Sequence, residues 1–247
     1  MVQNACIYGK EMKIALCLSG QPRSYQAGYE FCKKNLLDQF DVDVFIHTWD
    51  TDDMDWYSYV SLYNTSHYQI TRPIPDSVDK KYTNTPNATK WPPRFTVSAM
   101  FSTFRAMMLK VDQEVKTQQY DWVIKTRSDF ALPSIIPFDR MEKDKLYMTP
   151  CRTKAFGDWL GNDQFAIGGS DVMNQYMSTY LHMDRYYKNG VQMIGEEMLR
   201  ANLIESGLKD KITYIDMPPP FPPGPHNGTS HFLIRDDYDK WTNSSKN

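Results

Sequence analysis

Three segments of this sequence end an apolar run in residues able to hold charge. Ser19-Gly20-Gln21-Pro22-Arg23 closes the run Lys13–Ser19, His47-Thr48-Trp49-Asp50 closes Asp43–Trp49, and Lys125-Thr126-Arg127-Ser128-Asp129 closes Asp121–Thr126. Short apolar runs stopped by polar residues read as buried strands of a parallel sheet. In open α/β sheets, ligands bind beyond the carboxyl ends of such strands. Gly20 permits close backbone approach. Arg23, at the first turn of a helix, suits a phosphate held with help from the helix N-terminus. Asp129 is a candidate ligand for a divalent cation that bridges diphosphate oxygens. Convergence of the three strand ends on one crevice is what a nucleotide-diphosphate site needs. The same residue types also suit an internal ion-pair network of Arg23, Arg127 and Asp129, and their spacing fits both readings.

The elements that must position these residues follow from periodicity. Ser24–Phe40 reads as a helix between the first two strands, which makes a βαβ unit with a right-handed crossover. Residues 51–93, rich in Asp, Tyr, Thr, Asn and Pro, read as an irregular insertion with one short strand near His67–Thr71. Loops of that length are usually functional or mobile. Val97, Met100, Phe101, Phe104, Met108, Val111 and Val115 form the apolar stripe of a helix over Thr96–Thr117. Leu146–Thr149 and Gln164–Ile167 are short strands, and Ile212–Asp216 is the last. Ser170–Tyr187 and Glu196–Ser206 are helices, with Ser170 as a cap and Gly207 just past the second. Pro218–Pro225 reads as a stiff, extended segment. The expected organisation is a tail over 1–12 and one domain over 13–240, whose residues 217–240 form a C-terminal extension. The fold class is α/β, with a mostly parallel central sheet flanked by helices.

The order Leu18-Ser19-Gly20-Gln21-Pro22-Arg23, Phe45-Ile46-His47-Thr48-Trp49, Ile124-Lys125-Thr126-Arg127-Ser128-Asp129 and Asp163-Gln164-Phe165-Ala166-Ile167-Gly168 resembles a group of GT-A-type glycosyltransferases of large algal viruses and bacterial surface-polysaccharide clusters. The resemblance spans roughly residues 13–205. It implies a Rossmann-like GT-A domain, a nucleotide-sugar donor such as a UDP-sugar, UDP-xylose included, and a glycan acceptor. It also implies Mn²⁺ or Mg²⁺ bound by an Asp-x-Asp motif. Here that motif reads Arg127-Ser128-Asp129, so only its second acid is kept, and Arg127 is an alternative partner for phosphate. Ser19, Gly20, Gln21 and Arg23 would then lie beside the nucleotide. A late His on the metal would be His226 or His231.

An inverting transferase needs a carboxylate to take the proton from the acceptor hydroxyl. Gly195-Glu196-Glu197 resembles the acidic pair that such enzymes carry at the start of a late helix. Acids at a helix N-terminus are also favoured by the dipole alone. Asp163, with Asp158 across Trp159-Leu160-Gly161-Asn162, is the rival. A non-catalytic carbohydrate- or nucleotide-binding module on the same scaffold is the alternative reading, favoured by the reduced motif. His47 is either a packed ring or a ligand. Asp52-Asp53-Met54-Asp55 reads as a solvated cluster.

Composition bounds these readings. The 247 residues carry a net charge of -2, with 41% hydrophobic and 23% charged residues, which argues against nucleic acid as a partner. Aromatic residues reach 14%, as a sugar-handling surface or a Tyr-rich core would require. No run approaches the ~20 apolar residues of a membrane span, and the N-terminus has no apolar signal region. Cys6, Cys17, Cys32 and Cys151 lack metal-binding spacing and fit reduced thiols in a cytoplasmic protein. The sequons at Asn64, Asn87, Asn227 and Asn243 are then chance matches.

Overall fold

The computed structural model describes residues 6–7, 10–52, 55–83, 92–150, 161–215 and 234. Two-residue strands β1 (Cys6–Ile7) and β2 (Lys10–Glu11) form an antiparallel hairpin ahead of the main sheet. The sheet contains β3 (Ile14–Ser19), β4 (Val42–Trp49), β5 (His67–Thr71), β6 (Trp122–Thr126), β7 (Leu146–Pro150), β8 (Gly161–Gly168) and β9 (Ile212–Tyr214). Its order is β5-β4-β3-β6-β8-β7-β9. β3 pairs in parallel with β4 and β6, β4 with β5, and β7 with β9; β8 alone runs against its neighbours. The expected α/β class with a mostly parallel sheet is the observed one.

Both faces of the sheet are covered, which is why its strands read as continuous apolar runs. Ile14, Leu16, Leu18, Ile46, Ile124 and Phe165 face one core layer. On that side lie α1 (Tyr25–Cys32) and α2 (Trp56–Leu62), which meet through the rings of Tyr25 and Tyr59 at 5.4 Å. Ala15, Cys17, Phe45, Val123 and Ala166 face the other layer. It is formed with α3 (Pro93–Lys116), α4 (Ser170–Met177), α5 (Met183–Lys188) and α6 (Gly195–Glu205). Small side chains on β3 let α3 come close, and Cys17 Sγ lies 3.9 Å from the Ala106 carbonyl.

Several expected elements differ in detail. The first helix stops being α-helical at Cys32 and continues as a π-helical turn over Lys33–Leu37. The described residues of the 51–93 insertion contain α2, the expected strand β5 and a 3₁₀ segment over Asp76–Lys81. Asp55 starts α2 by accepting from the Ser58 N–H at 2.9 Å, a capping signal hidden within an acidic cluster. The stripe on α3 packs on the core as expected through Val97, Met100, Phe104, Met108 and Val111, but it ends before Val115. Val115 is 83% exposed, whereas Ser102, Thr103 and Lys110 are buried. Lys110 is tolerated there because its ammonium donates to Glu114, Ser170 and Asn174. Ser170 is not a cap: its hydroxyl donates to Glu114, and Gly169 occupies the N-cap position. The expected helix over Ser170–Tyr187 is two α-helices joined by a 3₁₀ segment, Ser178–His182. Gly207, at φ 71°, lies past the end of α6 as expected.

Candidate active site

The carboxyl ends of β3, β4 and β6 open on one edge of the sheet, and the antiparallel β8 begins at that same edge. Its first turn therefore stands beside the loop that follows β6. Between β3 and α1 the chain reverses through Gly20 at φ 105° and Ser24 at φ 44°. The Gly20 N–H donates to Ser102 Oγ at 2.7 Å and to the His47 carbonyl at 3.2 Å. His47 is fully buried, with Nδ1 2.8 Å from Ser102 Oγ and Nε2 3.0 Å from Thr71 Oγ1. Burial, aided by Arg105, pushes its pKa down to about 3, so the ring is neutral. His47 is thus a structural strut for the first strand end. Ser19 also turns inward, with its hydroxyl 3.2 Å from Thr103 Oγ1.

The first and third strand ends meet directly. Ser128 Oγ lies within donating distance of the Gln21 and Arg23 carbonyls, at 3.0 and 3.2 Å. Helix α1 presses on the same turn at Gly28, where a β-carbon would fall 1.9 Å from the Ser128 carbonyl oxygen. Arg23 itself is exposed. Arg127 and Asp129 pair in two parallel hydrogen bonds, Nε to Oδ1 at 2.8 Å and an η-nitrogen to Oδ2 at 2.7 Å. The Arg127 side chain stays 32% exposed while that of Asp129 is 2% exposed. The ion pair foreseen within the internal-network reading is present, and Arg23 is not part of it. Ile234 N–H donates to the Asp129 carbonyl at 2.8 Å, which places that residue against the same wall.

The late acids join this cluster. Lys125, buried on β6, donates its ammonium to the Asp163 carbonyl. Burial draws its pKa down to about 8 against the pull of the Asp163 carboxylate. Asp163 lies at the mouth of α6: a β-carbon on Gly195 would sit 3.3 Å from its Oδ2. Glu196, in the first turn of α6, is half-buried. Burial first, and then the Asp163 carboxylate, raise its pKa to about 7. Glu197 shares that first turn and adds to the upward push on Glu196. One rim therefore carries two cations, Lys125 and Arg127, beside Asp129, Asp163, Glu196 and Glu197. A carboxyl that titrates near neutrality is suited to accept a proton from a hydroxyl. The pair with Asp129 also leaves donors on Arg127 for an anion.

A divalent cation does not fit the described residues at Asp129. Both of its carboxylate oxygens are engaged by Arg127, and no group of three His, Cys, Asp or Glu side chains among the described residues is placed to hold a metal. His226, His231, Asp158 and Trp159 lie outside the described residues. Of the acidic loop cluster, Asp55 is the helix cap and Asp53 also lies outside. Lys125 is legible in the sequence as part of the polar strand end Lys125–Asp129, but its hold on the Asp163 carbonyl is not. Ser102 and Thr103 were concealed by the aromatic residues on either side, Phe101 and Phe104.

No protein-family model matches the chain, and no curated protein matches it in sequence. Among solved structures, it is similar to that of galactosyltransferase LgtC in complex with donor and acceptor sugar analogs. The TM-score is 0.46 and the identity 10%, over 82% of this chain and 73% of that one. No helix among the described residues is long and apolar enough to cross a membrane.

Proposed function

We propose that the chain is a glycosyltransferase that moves a monosaccharide from a nucleotide-diphosphate sugar, a UDP-sugar in the first instance, to a glycan hydroxyl. The observation that carries this reading is the meeting of the Gln21–Arg23 turn, the Arg127–Asp129 pair and the Asp163–Glu196 carboxylates at one carboxyl edge of the sheet. Arg127 gives the donor diphosphate a fixed cation, and Arg23, exposed at the start of α1, gives it a second. Gly20 and Gln21 line the nucleotide end.

Asp163 binds hydroxyls of the donor sugar. Glu196 takes the proton as the acceptor hydroxyl forms its new bond to the anomeric carbon and the bond to the departing nucleoside diphosphate breaks, with inversion at that carbon. Glu197 is the alternative proton acceptor. A cation, if Mn²⁺ or Mg²⁺ takes part, would draw its ligands from beyond the described residues, His226 among them.

A screen of UDP- and GDP-sugars for release of free nucleoside diphosphate, with and without Mn²⁺, tests the reading. One donor is expected to turn over. Glu196→Gln should then lose ~10²-fold or more in turnover while still binding nucleotide. Release from no donor, together with no binding of UDP or GDP, would remove the assignment. Glycan binding without nucleotide binding would favour a non-catalytic carbohydrate module.

A further inference from the structure

On the outer flank of the sheet, α2 and the edge strand β5 enclose an open groove of about 400 Å³. Three rings line it: Trp56 and Tyr57 from the first turn of α2, and Tyr68 from β5. Trp56 and Tyr57 stand edge to face, 6.1 Å apart. Tyr57 is 70% exposed and Tyr68 45% exposed, so the groove keeps large flat rings in water. Between them lie Ser61, Asn64 and Ser66, whose side chains form no hydrogen bond with any described residue. No residue of the lining is charged at neutral pH.

These features together choose a ligand class. With no cation, the groove has nothing to hold phosphate, sulfate or nucleic acid. With free hydroxyls and an amide among the rings, it is too polar for a lipid chain. Rings that stack on C–H faces, interleaved with neutral hydrogen-bonding groups, match the alternating apolar and hydroxyl surfaces of a sugar. We infer that the α2–β5 groove is a binding site for a neutral glycan, separate from the cluster at Arg127, Asp163 and Glu196.

Its position supplies a use. Helix α2 is the first helix after β4 and packs on α1, which itself begins at the Gly20–Ser24 turn. A glycan lying along α2 is thus one helix away from the reacting edge, and the groove holds the body of the acceptor chain. That use rests on the transferase reading; the neutral-glycan assignment rests on the groove alone.

The experiment is calorimetric titration of the full chain, without nucleotide, against neutral xylo-, manno-, galacto- and gluco-tetrasaccharides, with sulfated and sialylated oligosaccharides as charged controls. It is repeated on the double variant Tyr57→Ala with Tyr68→Ala, whose rings are exposed and whose folding is checked by thermal melting. At least one neutral tetrasaccharide should bind, and the double variant should lose about tenfold or more in affinity. Donor hydrolysis by the variant should stay at the wild-type rate.

Binding of no neutral oligosaccharide at millimolar concentration would overturn the inference. So would preference for the charged controls, or equal affinity in the variant. Self-association of the wild type that the variant abolishes would mark the groove as a contact between copies, and would overturn it as well. Glycan binding that depends on the two tyrosines, in a protein that hydrolyses no donor and binds neither UDP nor GDP, would leave the groove standing and remove the transferase.

Discussion

At the scale of single residues, the account depends on how burial and neighbouring charge set the ionisation of the cluster. Glu196 is its titrating acid, with a pKa of about 7 in place of the ordinary 4.5, and Lys125 titrates above it at about 8. In the proposed reaction the ionised form of Glu196 is the proton acceptor, so turnover should rise with pH through about 7 and level off above. A profile flat between pH 5.5 and 8.5 would point to another base. The same shift acts on stability. A carboxyl with a raised folded-state pKa leaves stability intact below its unfolded pKa and erodes it as pH rises through the folded one. Glu196→Gln should therefore melt higher than wild type at pH 8, by a free energy of order 1 kcal/mol, and nearly with it at pH 4.5. Equal shifts at both values would show that the carboxyl titrates normally.

At the scale of elements, the site is held by contacts made far below its reacting groups. His47, Ser102 and Thr71 tie β4, α3 and β5 into one floor under Gly20. Helix α1 is locked against the β6 turn by the missing side chain at Gly28. Gly28→Ala, a favourable change in most helix interiors, should here cost about 2 kcal/mol or more, because the methyl meets backbone oxygen and α1 must move away. It should also weaken nucleotide binding, since Ser128 in that turn holds the Gln21 and Arg23 carbonyls. Thermal melting and UDP titration of that variant check both effects; unchanged values would mean that α1 has room to spare.

These contacts also mark what was legible in advance. Buried strands announced themselves as apolar runs, and their polar ends named Gln21, Arg23, Arg127 and Asp129. The acids Asp163 and Glu196 were visible as residue types near a strand and a helix start. Their meeting was not, because it depends on β8 running against the sheet. The pairing that occupies Asp129 was legible only as one of two readings, since two residues of opposite charge flanking a serine fit a shared ligand equally well. Helix α2 was missed because its aromatic residues give a short stripe, and only the Asp55 cap marks its start.

At the scale of the whole molecule, one sheet edge collects chemistry that the sequence spreads from residue 20 to residue 197. A parallel sheet with both faces covered leaves its carboxyl edge as the natural place for a ligand, and the reversed β8 delivers Asp163 there. Hydrogen–deuterium exchange tests the central claim most directly, with the chain held at saturating UDP-sugar, or at saturating UDP or GDP where no intact donor is bound. Slowed exchange is predicted together in peptides covering residues 20–28, 127–130, 161–165 and 195–199, with little change on β9 at the far edge. Protection confined to one of those segments, or lying elsewhere on the molecule, would contradict a single site at which these residues meet the donor.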